Sequence, residues 1–454
     1  MARTRDMTTG SPTKHLILFT LPIIAGNAFQ QLYSLVDSFV VGQVSVDALT
    51  AVASAGWLDW LVLSLAMGLA QGFGIQVAQS FGAGDYKELH RAVGQSLILS
   101  GITIVAVELL AQVFLWPVLV LMDMPAQTIR MTESYLRIIF AGLPLVMGFN
   151  LFAGFLRSVG NSTVPLVAMI CAALTNMALD VLFVMGFDMG VQGAALATIS
   201  GQALSCLICL IAVLRLPVMH IAGTDLRWDG RMCARLMKLG LPIAFQNLII
   251  SVGGLVLQKV VNGFRYAFVA GFNATNRLFG LFELAGISLG TAVGTFAGQN
   301  LGAGRLDRVR LGQRRAAQLS VLLGLLVGGL MILFGKPLLS LFITDSDPDK
   351  VAQTLAVAYE YMVVMSLGLS MLYLLFTYRT TLQGLGDTMI PMVSGFVELV
   401  MRIVCAVALP LLLNEWGIYV SEIAAWIGAA CLLIWGYYRR VRLLEGKLQQ
   451  KTAV

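Results

Sequence analysis

Apolar residues run along this chain in long unbroken stretches, separated by short breaks rich in charged and turn-forming residues. Twelve runs can be marked, near 15–39, 49–80, 92–117, 133–157, 164–186, 191–215, 236–262, 268–299, 313–336, 355–379, 389–413 and 417–438. A helix needs about 20 apolar residues to cross ~30 Å of hydrocarbon, so each run is long enough to span a bilayer. None shows the alternation of period two that a membrane barrel strand requires. The pattern predicts an all-α polytopic membrane protein with twelve transmembrane helices. The second and eighth runs are long enough to tilt or to extend past the bilayer.

Composition strengthens this picture. Of 454 residues, 58% are hydrophobic and 12% charged, against ~25% charged in an ordinary soluble protein. Mean hydropathy is +0.84. The net charge of +6 does not call for a nucleic-acid partner, because Lys and Arg gather in cytoplasmic loops and orient such chains. With the N-terminus inside, 22 Lys and Arg fall on the inner side and 4 on the outer. The expectation is a multi-pass protein of the cytoplasmic membrane with both termini in the cytoplasm. The polar, basic stretch before residue 16 lacks the cleavage pattern of a signal peptide, so the first helix is expected to stay in the mature protein.

The chain also repeats itself. Leu21-Pro22 recurs as Leu241-Pro242, Gln79-Ser-Phe-Gly-Ala-Gly84 as Gln299-Asn-Leu-Gly-Ala-Gly304, and Pro117 as Pro337, all at one offset. Gly160-Asn-Ser-Thr-Val-Pro165 matches Gly386-Asp-Thr-Met-Ile-Pro391 after a short insertion. Six spans per half, an even number, make the halves run the same way through the membrane. They form a parallel repeat of two pseudo-symmetric six-helix lobes about an axis along the membrane normal. The expected domains are an N-terminal lobe over 1–215, a cytoplasmic linker over 216–234, and a C-terminal lobe with a basic tail over 235–454. The paired Gly-Ala-Gly sequences read as helix C-caps. Gly286, Gly290, Gly294 and Gly298 recur every fourth residue and predict close helix packing. Pro22, Pro144, Pro165, Pro242 and Pro391 permit kinks.

Against this background a few side chains stand out. Asp180, with Asn176 one turn before it on the same helix face, lies in an apolar run, and Asp37 lies in the first. A carboxylate in hydrocarbon costs at least ~2.5–3.5 kcal/mol, so it persists only facing a protein interior or a water-filled cavity. The pair is expected to meet and bind a coupling ion. Glu398 and Arg402 are spaced to neutralise each other on one helix. Lys259, Arg277 and Glu283 form a candidate charge cluster of the C-terminal lobe, either structural or facing substrate. Asp59, between Trp57 and Trp60, reads as an interfacial residue. The six cysteines, the Cys206/Cys209 pair included, read as small packing residues. His15, His90 and His220 lie outside the spans or at their very edge, so an intramembrane enzyme is not expected. No phosphate-binding loop of the Walker type is present, so the drive is not ATP.

The repeat landmarks carry a resemblance. Ser11-Pro-Thr-Lys-His-Leu-Ile-Leu-Phe-Thr-Leu-Pro22, Gln30-Gln-Leu-Tyr-Ser-Leu-Val-Asp37, the Gln79 to Gly84 loop and Phe155-Leu-Arg-Ser-Val-Gly160 resemble the multidrug and toxin extrusion (MATE) family. The similarity covers nearly the whole chain and is greatest to the prokaryotic branch related to DNA-damage-inducible protein F. It implies two six-helix lobes, a central cavity and cation-coupled export of organic compounds. It also implies a cation site in the N-terminal lobe, whose aspartate of the first helix falls on Asp37. The asparagine and aspartate of the fifth helix fall on Asn176 and Asp180, the threonine of the sixth on Thr198, and a polar position of the fourth on Asn150. Another branch carries a glutamate on the seventh helix, where this chain has Ile250 and Ser251, which puts a second cation site of that kind in doubt.

Depth agrees with this set. Asp37 lies 15 residues past Pro22 and Asp180 lies 15 past Pro165, which at 1.5 Å per residue puts both ~22 Å from the inner end. Two carboxylates, an amide oxygen and a hydroxyl suit a hard cation. Two neighbouring carboxylates also suit a proton. The cluster thus serves Na⁺ or H⁺, with the neutral oxygens favouring Na⁺. The competing reading is a closed polar knot that fixes helix packing. The expected function is a secondary antiporter that exports amphipathic, cationic organic compounds in exchange for Na⁺ or H⁺ by alternating access. The expected partners are those substrates, the coupling cation and the bilayer, with no other cofactor and a monomeric protein. The rival is a lipid-linked precursor flippase of the same superfamily, which needs a strongly cationic cavity.

Overall fold

A computed structural model describes residues 4–122, 124–343 and 347–452. The described residues are almost wholly helical. In chain order they form α1 (Pro12–Val44), α2 (Val46–Gly82), α3 (Tyr86–Leu121), α4 (Ile129–Ala141), α5 (Leu143–Ser158), α6 (Thr163–Asp180) and α7 (Gly190–Leu214). After two short 3₁₀ turns come α8 (Gly230–Val261), α9 (Tyr266–Gly302), α10 (Leu306–Ser340), α11 (Pro348–Gly384), α12 (Met389–Ala408), the one-turn α13 (Pro410–Leu413) and α14 (Glu415–Thr452). Among the described residues, eleven helical segments are long and apolar enough to cross a membrane. The bent pair α4 and α5, meeting at 44°, makes a twelfth. The bend falls at Gly142, directly before Leu143-Pro144. Proline there sits in a first turn, where its missing N–H costs nothing.

The other prolines sort by the same rule. Pro165 and Pro391 lie in the first turns of α6 and α12. Pro22, Pro117, Pro242 and Pro337 lie inside helices, where each removes one backbone hydrogen bond.

By contact, the chain forms two compact units: Met1–Asp6 with Leu21–Ala244, and Met7–Thr20 with Phe245–Val454. The 3₁₀ linker belongs to the first unit because α3 holds it. Gln95 donates to the carbonyls of Asp225 and Arg227 at 3.0 and 2.8 Å and accepts from the Asp229 amide at 3.0 Å. The start of α8 belongs there too. Gly68 and Gly72 on α2 admit the Ala244 and Gly240 backbones so closely that a Cβ on either would overlap them.

In the second unit α9 packs along α11. Gly286 faces the Tyr373 ring, Gly290 the Phe376 carbonyl, and Gly294 Thr380. These are three of the four glycines whose spacing predicted a bare helix face. Residues 7–10 are held by Arg308, which donates to the carbonyls of Met7, Thr9 and Gly10 at 3.1, 3.0 and 3.0 Å. Gln299 accepts the Met7 amide at 2.9 Å.

The sequence repeat is also a repeat of local geometry. Ala83 and Ala303 donate to Gln79 and Gln299, both at 3.0 Å. Gly84 and Gly304 then turn left-handed at φ +69°, a conformation that favours glycine.

Candidate cation site of the first unit

Asp37 comes from α1, and Asn176 and Asp180 come from α6. Asp180 is the last residue of regular α-helix, and a π-helical turn, Val181–Gly186, follows it directly. Such turns are uncommon and recur at functional sites. Asp37 is 8% exposed, Asn176 2% and Asp180 0%. None of the three side chains is open to bulk solvent.

The two carboxyl groups lie within hydrogen-bonding contact of each other. A carboxyl–carboxyl hydrogen bond needs a proton between the partners, and two neighbouring carboxyls cannot both ionise cheaply. Asn176 is positioned between Asp180 and α7. With its amide nitrogen toward Asp180, it donates to Oδ2 at 3.3 Å and its oxygen accepts the Thr198 backbone N–H at 3.3 Å. The opposite orientation leaves a single 3.5 Å contact to the Thr198 hydroxyl, so the first is preferred. Gly201 on α7 makes this approach possible, since a Cβ there would stand 2.9 Å from the Ala172 carbonyl.

Asp37, Asn176, Asp180 and Thr198 are therefore brought together. Asn150 makes its hydrogen bond elsewhere, donating 2.9 Å to the Val146 carbonyl of its own helix. Oδ1 of Asp37 and Oδ1 of Asp180 are both buried without a hydrogen-bond partner. Buried acceptors without donors cost about 1–3 kcal/mol each and call for an explanation. A bound cation is one.

Three further side chains surround the pair that sequence reasoning did not place there. Tyr33, one turn before Asp37 on α1, hydrogen-bonds with Gln30 and Gln202 and lies within electrostatic range of Asp37 and Asp59. Tyr135 on α4 is within range of Asp37, Asp59 and Asp180. Asp59 is the third. It stands 13 residues into α2, ~20 Å along the helix axis, and its Oδ1 is buried without a partner.

The second unit handles buried charge differently. Arg379 on α11 donates to Glu398 on α12 at 2.8 Å, Arg402 donates to Glu398 at 2.9 Å, and Arg402 also reaches Glu422 on α14 at 3.1 Å. The pairing of Glu398 with Arg402 follows from their spacing. Arg379 escaped notice because it ends an apolar run and was counted with the adjoining loop. Glu283 lies within electrostatic range of this quartet. Lys259 and Arg277 are exposed, and among the described residues neither forms an ion pair with Glu283. Arg277 and Glu283 are six residues apart on α9, which turns them about 120° away from each other.

The family model MatE matches residues 22–182 and 242–408, more than half of the chain. The chain belongs to the MatE family. Among curated proteins, the probable multidrug resistance protein YpnP of Bacillus subtilis is 33% identical over 353 residues, covering 76% of this chain and 78% of that protein. The probable multidrug resistance protein YoeA of the same organism is 26% identical, covering 96% of both. Among solved structures, the crystal structure of MATE in complex with MaL6 matches with a TM-score of 0.90 at 20% identity, over 97% of this chain and 99% of that one. At that identity the likeness concerns the fold. This MATE protein is thus a polytopic helical membrane protein.

Proposed function

We propose that this MATE protein is a secondary antiporter of the cytoplasmic membrane, exporting amphipathic cationic compounds in exchange for Na⁺ or H⁺. The observation that carries the reading is the Asp37–Asp180 pair, two carboxyls in contact whose outer oxygens are buried and unpartnered. Asn176 and Thr198 add neutral oxygens beside it, as a hard cation requires. Such a pair changes its charge by one unit when it gains or loses the coupling ion. A cationic substrate prefers the charged pair, and an incoming ion or proton neutralises it. Binding of one therefore weakens binding of the other, and a difference in affinity between two conformations turns that competition into exchange.

The excess of Lys and Arg on one side supports cytoplasmic termini. The protein acts as a monomer in this scheme, since each element of the pair comes from one chain. The two relatives carry multidrug resistance names, which favours an exporter over a flippase. The buried guanidiniums of the second unit also argue against a flippase, because Arg379 and Arg402 are already tied to Glu398 and Glu422 rather than presented to a pyrophosphate.

The test is efflux of a cationic dye from cells or inverted vesicles under separate Na⁺ and H⁺ gradients, for wild type, Asp37→Asn and Asp180→Asn. One gradient is expected to drive wild type, and both variants to lose driven efflux at normal abundance. Unchanged efflux in both variants overturns the assignment.

A further inference from the structure

Away from the carboxylate pair, charged side chains gather around a cleft of about 330 Å³ between the first turns of α3 and α8. Of the eight residues that line it, only Met232 is apolar. Its carboxylates are already committed. Asp85 accepts the Glu88 amide at 2.9 Å, and Asp229 accepts the amides of Arg231 and Met232 at 3.0 and 3.2 Å. Glu88 pairs with Arg235 and accepts from Gln76 on α2 at 3.1 Å. Three cations are left over. Lys87 and Arg91, one turn apart on α3, and Arg231 on α8 line the cleft and are exposed. Among the described residues their side chains form no ion pair. Like charges so placed repel one another.

We propose that this cleft binds a phosphate group, gripped by Lys87, Arg91 and Arg231. Its volume falls within the ~300–1,000 Å³ of small-ligand sites, and its charged lining selects a charged ligand. Guanidiniums present planar forks to phosphate oxygens and lysine adds a point charge. An anion held between α3 and α8 offsets the repulsion that the three cations otherwise carry. Arg235, tied to Glu88, shapes the wall. Tyr86 and Gly230 open the two helices, and their apolar runs begin near 92 and 236, ~9 Å further along each axis. The cleft thus stands at headgroup depth, outside the hydrocarbon. Tyr86 and Trp228, next to lining residues in sequence, are 46% and 62% exposed, as suits an aromatic belt. In the orientation proposed above this is the cytoplasmic side, where anionic lipids gather. These features favour a phosphate presented by an anionic lipid over one arriving free in water. The site stands whether or not Asp37 and Asp180 carry the exchange.

The experiment titrates the purified full-length protein with phosphatidylglycerol, with zwitterionic phosphatidylcholine and with inorganic phosphate. Lipid occupancy is read by native mass spectrometry and phosphate binding by calorimetry. The triple variant Lys87→Gln/Arg91→Gln/Arg231→Gln is expected to bind phosphatidylglycerol about tenfold more weakly or worse, and phosphatidylcholine within twofold of wild type. The charge-keeping variant Lys87→Arg/Arg91→Lys/Arg231→Lys is expected to retain phosphatidylglycerol. A control, Arg314→Gln/Arg315→Gln/Arg442→Gln, removes the same charge from exposed positions of the second unit and is expected to stay within twofold. Loss of inorganic phosphate alone, with phosphatidylglycerol unchanged, supports the phosphate site and assigns it a soluble ligand. Loss of neither ligand overturns the proposal. So does equal loss in the control, which marks diffuse surface charge, or equal loss of both lipids, which marks a structural role.

Discussion

The two units of this protein both bury ionised side chains, and they do so with opposite electrostatic logic. In the first unit two acids face each other: Asp37 and Asp180 are in contact, and each keeps one buried oxygen without a donor. In the second unit opposite charges face each other, with Arg379, Glu398, Arg402 and Glu422 linked at 2.8 to 3.1 Å. A set that neutralises itself has nothing to gain from a ligand, whereas a set that cannot do so is completed by one. Burial of charge alone does not distinguish the two units; the sign of the neighbouring charge does.

The largest effect expected is on coupling. Asp37→Asn and Asp180→Asn should each reduce ion-driven efflux to the level of vesicles without the protein, at wild-type abundance. A variant that loses abundance instead of driven efflux would move the pair into the structural class that the second unit represents. Next comes the quartet, where the prediction is the reverse. Glu398→Ala strands the buried Arg379 guanidinium, leaves Arg402 with Glu422 alone, and should cost about 3–5 kcal/mol of stability, read as lower membrane abundance and a lower Tm in detergent. Replacing Arg379, Glu398, Arg402 and Glu422 together by apolar residues of similar volume should cost less than Glu398→Ala alone. If the single and joint replacements are equally harmful, the quartet does more than neutralise itself.

A smaller effect is expected from the neutral oxygens. Asn176→Ala and Thr198→Ala each remove one hydrogen-bonding group worth about 0.5–1.5 kcal/mol. Coupling-ion affinity, read from the Na⁺ or H⁺ dependence of efflux, should weaken by up to about tenfold, since 1.4 kcal/mol is tenfold. The smallest effect is expected at Lys259 and Arg277, which are exposed and outside the quartet. Alanine at either should leave efflux and Tm close to wild type, as exposed positions usually stay within about 0.5 kcal/mol.

Most of the fold was legible because a membrane span is a composition rule as much as a periodicity rule. The twelve runs correspond to eleven continuous segments and the α4–α5 pair. The paired Gly-Ala-Gly caps were legible because a left-handed turn at Gly84 and Gly304 restricts which residue can stand there. The division of the chain by contact was harder to read. It depends on Gln95 holding the linker and on Arg308 holding residues 7–10, long-range hydrogen bonds that leave no local pattern.

Within the candidate site, Asp37, Asn176 and Asp180 were readable from the cost of polar groups in hydrocarbon. Thr198 and Asn150 came through the family resemblance, and the geometry places the first beside Asn176 while the second bonds its own helix. Tyr33, Tyr135, Gln202 and Asp59 were not picked out. A single tyrosine or glutamine within a span is ordinary, and the tryptophans around Asp59 suggested an interfacial role. Arg379 was hidden by its place at the end of an apolar run.

The central claim is that the Asp37–Asp180 pair trades its coupling ion for substrate. Its most direct test is the release of ions when tetraphenylphosphonium is added to purified protein in weakly buffered solution, with H⁺ and Na⁺ followed by selective electrodes. The account predicts that wild type releases one of the two ions in proportion to substrate bound, and that the Asp37→Asn/Asp180→Asn double variant releases neither. Undiminished release from the double variant would contradict it and place the exchange elsewhere in the chain.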